Sequence, residues 1–221
     1  MIHSLEALSG GSVLATDGEI GHVRNFLFDD QSWTVRYVVV DVRSWMSRHD
    51  VLIAVSALEE PTWASPFFRA NLTRDQVRHS PDVDTEKPVA RQQEIAMREY
   101  YGWPASWTKL SIELPPVSLP AGREFPAKAS ADSHLRSVND LTGYTVWSDG
   151  QEVGRLENFI VDKSSWHLGY LDVKIGNWLY SHAVLIPTRW VKDISWADHR
   201  VNLRHVPEAR KHSAGSGSVG R

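Results

Sequence analysis

Apolar positions along this chain fall into strand-sized stretches. Val13 to Ala15 and Ile20 to Phe28 flank Asp17-Gly18, and Asp-Gly between apolar runs predicts a hairpin. A turn at Asp29 to Ser32 leads into Val35 to Val42, which is apolar at both parities, as a strand covered on two sides requires. Val51 to Val55 and Phe68 to Leu72 complete the set. The apolar spacing shifts parity between Val23 and Phe26, which a strict period of two forbids. A β-bulge near Asn25 restores it. Thr73-Arg74-Asp75-Gln76 has the form of a capping box and predicts a short helix running toward Pro81.

The whole pattern returns after 133 residues, the interval from Tyr37 to Tyr170. Gly21, Asn25, Phe26, Asp29 and Trp33 recur as Gly154, Asn158, Phe159, Asp162 and Trp166. The register continues from Trp45, His49 and Ile53 to Trp178, His182 and Ile186. Beyond that the copies drift by two residues, with Asn71-Leu72 answering Asn202-Leu203. Asp149-Gly150 marks the second hairpin, and a second bulge is expected near Asn158. The chain therefore divides into a first domain at 1–80, a linker at 81–134, a second domain at 135–206 and a tail at 207–221. Within the linker, Arg91 to Tyr101 is rich in helix formers and stops at Gly102, with Pro104 just beyond. Leu114 to Ala131 is Pro-rich and reads as an extended connector, and the Gly/Ser-rich end at Ser213 to Arg221 reads as disordered.

Composition narrows the function classes. With 42% hydrophobic and 23% charged residues, the 221-residue chain reads as an ordinary globular protein. It holds no apolar run near the roughly 18 residues that a transmembrane helix needs. Its first residues lack the cationic and apolar parts of a secretory signal, so a cytoplasmic location is expected. The absence of cysteine excludes disulfides, thiolate zinc sites and cysteine nucleophiles. A net charge of -3 without a basic cluster argues against nucleic-acid binding.

The Leu-x-Gly start, the acidic-Gly turn, Asn25-Phe26, Asp29 and the Trp33 to Tyr37 strand, all repeated in the second copy, resemble the PRC-barrel family. The resemblance implies an all-β fold with minor helix: two small PRC-type β-barrels in tandem, joined by a partly helical linker. The family includes the cytoplasmic domain of the photosynthetic reaction-centre H subunit and the C-terminal domain of a ribosome-maturation factor, in both of which the barrel is a docking module. Tyr100-Tyr101-Gly102-Trp103-Pro104 in the linker is similar to that of tandem, stand-alone bacterial members.

Candidate chemistry is sparse. His49 and His182 recur at equivalent positions before the most apolar strand and are the candidate metal or pH-sensing pair, although no third ligand repeats with them. Asp17, Asp29 and Asp162 sit in turns, where an Asp accepts hydrogen bonds from its own backbone, which explains them better than acid-base work does. Ser9-Gly10-Gly11 and Gly215-Ser216-Gly217 lack the strand-then-helix setting of a phosphate loop. No nucleophile elbow or zinc-protease helix is present, so no enzyme activity and no cofactor are expected. Among the ten tryptophans, Trp33 and Trp166 are expected in the core. Trp45, Trp178, Trp103 and Trp107 are the candidate partner surface.

A barrel of some 70 residues is marginal alone, burying only about 60% of its unfolded surface. The two copies are therefore expected to pack as an intramolecular pseudo-dimer with Tyr100 to Trp107 against it, and a further homo-oligomer stays open. The functional expectation is a non-enzymatic protein-binding or assembly module with an unknown protein partner. The alternatives are an H-subunit-like protein supporting electron and proton transfer in photosynthesis, and a metal or small-ligand sensor.

Overall fold

The computed structural model describes residues 2–43, 48–59, 67–81, 91–103, 135–176 and 181–204. The first repeat contributes β1 (Ile2–Ser4), β2 (Ser12–Ala15), β3 (Gly18–Asp29), β4 (Thr34–Arg43), β5 (Arg48–Ala54), β6 (Phe67–Arg69) and helix α1 (Arg74–Arg78). Helix α2 (Arg91–Tyr101) follows. The second repeat contributes β7 (Leu135–Ser137), helix α3 (Val138–Leu141), β8 (Thr145–Ser148), β9 (Gln151–Asp162), β10 (Leu168–Gly176), β11 (Ser181–Pro187), β12 (Val191–Ser195) and β13 (Arg200–Leu203). The chain is mostly β, in two separate mixed sheets that make two β domains.

One sheet runs β5-β4-β3-β2-β6 and the other β11-β10-β9-β8-β13-β12. After β5 the chain turns through Val55–Ala57 and bridges Leu58 to Ala70, just beyond β6. Among the described residues both sheets are open paths, without the ladder that would close either into the barrel the resemblance implies. Trp45, Trp107, Trp178, the connector and the tail lie outside the described residues.

The first strand of each repeat joins the other repeat's sheet. β3 is twelve residues long but β2 only four, so β2 pairs with β3 no further than His22 and leaves the rest of that edge open. β7 fills it, with Leu27 opposite Ser137 and Asp29 opposite Leu135. Reciprocally, β1 lines the free end of β9, with Ile2 opposite Asp162 and Ser4 opposite Ile160. An uncovered edge of this kind would present unpaired N–H and C=O groups.

Two asparagines hold the exchanged strands. Asn25 Nδ2 donates to Ser137 Oγ at 2.8 Å, and Asn158 Nδ2 donates to Ser4 Oγ at 2.6 Å. Each Oδ1 accepts from the following backbone N–H, Phe26 at 2.8 Å and Phe159 at 2.7 Å. It also accepts from the other repeat, from the N–H of Asn139 at 3.3 Å and of Glu6 at 3.2 Å. Both asparagines follow the expected bulges, whose extra residues are Arg24 and Glu157.

A second symmetrical contact joins the turns after β3 and β9. Val35 N–H donates to the Trp166 carbonyl at 2.9 Å and Leu168 N–H to the Trp33 carbonyl at 2.7 Å, around a Thr34–His167 bridge. Trp33 and Trp166 reach these bonds with φ of 53° and 57°, a left-handed backbone that non-glycine residues adopt only under constraint. Trp166 is buried and Trp33 partly so, stacked on Phe28 at 5.5 Å. One buried cluster runs through both halves, with Phe28 and Phe159 in ring contact at 5.8 Å.

The structure corrects one detail of the repeat. β6 runs parallel to β2 with Phe68 opposite Val13, and β13 runs parallel to β8 with Val201 opposite Val146. Asn71 N–H bonds the Ala57 carbonyl and Arg204 N–H the Trp190 carbonyl. The register of 133 residues therefore persists to the end, and the match of Asn71-Leu72 with Asn202-Leu203 is coincidental. Parallel pairing to a fixed neighbour sets the register, not residue identity.

Candidate functional site

The two sheets differ most on their outer faces, away from the shared core. On the first sheet that face carries Leu27, Tyr37, Val39, Leu52, Ala54 and Leu135, all buried under helix α2 through Met97, with Tyr101 and Trp103 packed alongside. Leu135 reaches it only because β7 is exchanged. Trp103 stacks on Tyr101 at 4.3 Å and meets Tyr37 at 6.2 Å, so this candidate partner residue is engaged within the chain.

Polar contacts orient the helix. A register shift between Leu27 and Phe28 leaves Arg36 as the extra residue of β4. Its guanidinium bonds the Asp29 carboxylate and lies 3.4 Å from Glu94 of α2. Tyr37 donates its hydroxyl to Glu94 at 3.1 Å. Burial first, and the Glu94 carboxylate second, push the Tyr37 phenol well above its ordinary value, while burial pushes Tyr101 up to about 12. Tyr100 donates to the Gln76 carbonyl in α1, whose capping box forms as the sequence predicts.

On the second sheet the equivalent face has a different composition. Gly169 replaces Arg36 at the extra position of β10, and Asp172 replaces Val39. Tyr170 stands opposite Ile160, and Asp172 opposite Leu185 and Asn158. Ile2 and Leu185 are 53% and 47% exposed, whereas their counterparts Leu135 and Leu52 are 4% and 1% exposed under α2. One carboxylate oxygen of Asp172, Oδ1, is buried without a hydrogen-bond partner.

The remaining sequence candidates are scattered. His49 lies on β5 opposite Val42, with its side chain outside the described residues, and His182 is exposed on β11 opposite Ile175. Each occupies the end strand of its own sheet. Asp17 accepts from the Arg74 N–H at 2.7 Å at the start of α1. Asp29 accepts from the N–H groups of Gln31 and Ser32. Asp162 accepts from both the hydroxyl and N–H of Ser164 and Ser165, which hold its carboxyl well below the usual range. Asp29 and Asp162 bond their own turns, as their positions predict, whereas the Asp17 carboxylate instead ties its hairpin to the first turn of α1. Among the described residues no cluster of three metal-ligating side chains occurs, and no helix is long and apolar enough to cross a membrane.

An open groove of about 520 Å³ lies where the two repeats meet, lined by Trp33, His167, Arg189, Lys192, Trp196 and Arg204, among others. Asp30 and Asp193 share its wall with these cations, and each has a partner: Arg136, which lies over Trp196, bonds Asp30 at 2.9 Å, and Asn202 donates to Asp193 at 2.6 Å.

Sequence reasoning missed the face formed by Ile2, Ile160, Tyr170, Asp172 and Leu185. The available signal lay in the mismatches between the copies, Arg36 against Gly169 and Val39 against Asp172, rather than in the matches. Compared with known proteins, residues 134–208 match the family model of the PRC-barrel domain, a span that starts at the strand lent to the other sheet. No curated protein matches the chain. Residues 134–208 are thus a PRC-barrel domain, and the N-terminal sheet makes a second β domain of similar size.

Proposed function

We propose that the chain is a non-catalytic protein-binding or assembly module, in which the two repeats form one intramolecular pseudo-dimer and the outer face of the second sheet receives a protein partner. The observation that carries this reading is the unequal cover of two equivalent faces. One is sealed by α2, and the other leaves Ile2 and Leu185 about half exposed. Exposed apolar side chains grouped on one face mark interaction sites more often than isolated ones do. The exchanged strands support the same reading, because they hold the face rigid before binding, and a preorganised surface loses less entropy on association.

The test is recovery of the C-terminally tagged chain from its native cell at near-physiological salt, followed by mass spectrometry. Leu185→Asp is compared with Phe67→Asp, a control at an equally exposed apolar residue on the first sheet. A stoichiometric partner lost only with Leu185→Asp supports the module and its surface. Recovery without a partner, or a partner indifferent to Leu185, overturns it.

A further inference from the structure

We infer that the outer face of the second sheet is the seat of an amphipathic helix from a protein partner, and that this helix carries a lysine or arginine in its apolar stripe to meet Asp172. The inference rests on the binding-module reading and specifies the chemistry of the partner.

The first sheet supplies the template. Ile2, Ile160, Tyr170 and Leu185 stand where Leu135, Leu27, Tyr37 and Leu52 stand beneath α2. A face with apolar residues at these same register positions already accepts a helix in the same molecule. At the centre of the face two replacements invert the charge preference, while Lys174, two residues along β10 from Asp172, is paired with Glu157 at 3.2 Å. Under α2 the sheet offers a cation, Arg36, and the helix brings a carboxylate, Glu94. On the second sheet Gly169 offers nothing, and Asp172 offers a carboxylate whose Oδ1 is buried and unpartnered. A buried carboxylate oxygen without a donor is unfavourable, and a cationic donor satisfies it best.

The same charge argues against two other occupants. An α2 helix from a second copy would bring Glu94 toward Asp172 with no arginine to separate them. Two such faces meeting about a two-fold axis would set Asp172 near its own copy, and like charges in a desolvated contact oppose binding.

The test uses two fluorescein-labelled peptides and the full chain. One peptide has the sequence of residues 91–103, and the other is its Met97→Lys version, which places a cation at the centre of the stripe that α2 buries. Fluorescence anisotropy measures affinity, and methyl NMR on Ile2, Ile160 and Leu185 locates the site. The Met97→Lys peptide is expected to bind at least ~10-fold more tightly than the parent. Asp172→Val, which copies the residue at Val39, should reverse the order, and Asp172→Asn should abolish the difference.

Equal binding of both peptides, binding of neither at millimolar concentration, or methyl shifts confined to other surfaces overturns the inference. So do contacts from the Leu185 methyls to a second copy or to residues 104–134 of the same chain. If tagged recovery still gives a partner sensitive to Leu185→Asp, only the helix chemistry has failed. If no partner is recovered either, the module reading fails with it.

Discussion

Asn25 and Asn158, one in each repeat, make the same pair of bonds to the opposite repeat: a side-chain donor to a serine hydroxyl and a side-chain acceptor for a backbone N–H. An aspartate has no donor for the serine, and an alanine leaves all the partners unmet. Each Asn→Ala substitution should lower stability by about 1–3 kcal/mol in urea denaturation. A double-mutant cycle of Asn158→Ala with Ser4→Ala should show a coupling of roughly 0.5 kcal/mol or more. Additive losses would mean that the exchanged strand is held elsewhere.

Gly21 and Gly154 mark another matched constraint. A methyl group at Gly21 would lie 2.1 Å from the Asp41 carbonyl oxygen, and one at Gly154 2.4 Å from that of Lys174. The obstruction is backbone on the neighbouring strand, so rotamer changes cannot relieve it. Gly21→Ala and Gly154→Ala should each cost roughly 3 kcal/mol or more, at the upper end for single substitutions. Thermal denaturation is the check, and a loss below 1 kcal/mol would show that the strands separate more easily than their pairing suggests.

The buried phenol of Tyr37 makes stability depend on alkali. Its folded pKa lies above the unfolded value near 10, so its contribution is complete below pH 10 and is lost as pH rises through the folded value. Tyrosinate absorbance from Tyr37 should therefore appear together with loss of the α2 contact, not before it. Tyr37→Phe should reduce stability at pH 7 by about 1 kcal/mol, through the bond to Glu94. It should also flatten the decline above pH 10. A Tyr37 signal titrating near 10 in a folded chain would contradict this.

Strand exchange predicts how fragments behave. Residues 1–103 carry β1, which fits β9, and lack the β7 that fits β3; residues 132–208 have the reverse deficit. Mixed fragments should form a one-to-one complex in sedimentation. Either alone should be unstable or should pair with its own copy, since the repeats are equivalent at these edges. Two folded monomers that ignore each other would rule out the exchange as a source of stability.

Much of this architecture is legible in the sequence, and the gaps have physical causes. The strands, both bulges and the α1 capping box follow from local pattern, because each is set by neighbours along the chain. α2 forms over the helix formers Arg91–Tyr101 for the same reason. Ile2–Ser4 and Leu135–Ser137 are three-residue strands, too short for periodicity to reveal, and nothing local states which sheet they join. Asn25 and Asn158 are conspicuous as repeated residues, yet their role depends on bonds across more than 100 residues of sequence. The bare face is hidden in a different way. Asp172 among apolar neighbours reads as an ordinary polar position until the cover over Val39 shows what its counterpart does.

The exchanged strands also impose an order on synthesis. Domains commonly fold from the N-terminus as the ribosome extends the chain. Here the far end of β3 and the amide donor of Asn25 have no mate until Leu135–Ser137 has emerged, long after the rest of the first sheet is available. β1 waits longer still, for Ile160 to Asp162. Until Ser137 has emerged, the nascent first domain therefore displays an open strand edge beside a first strand that is itself still unpaired.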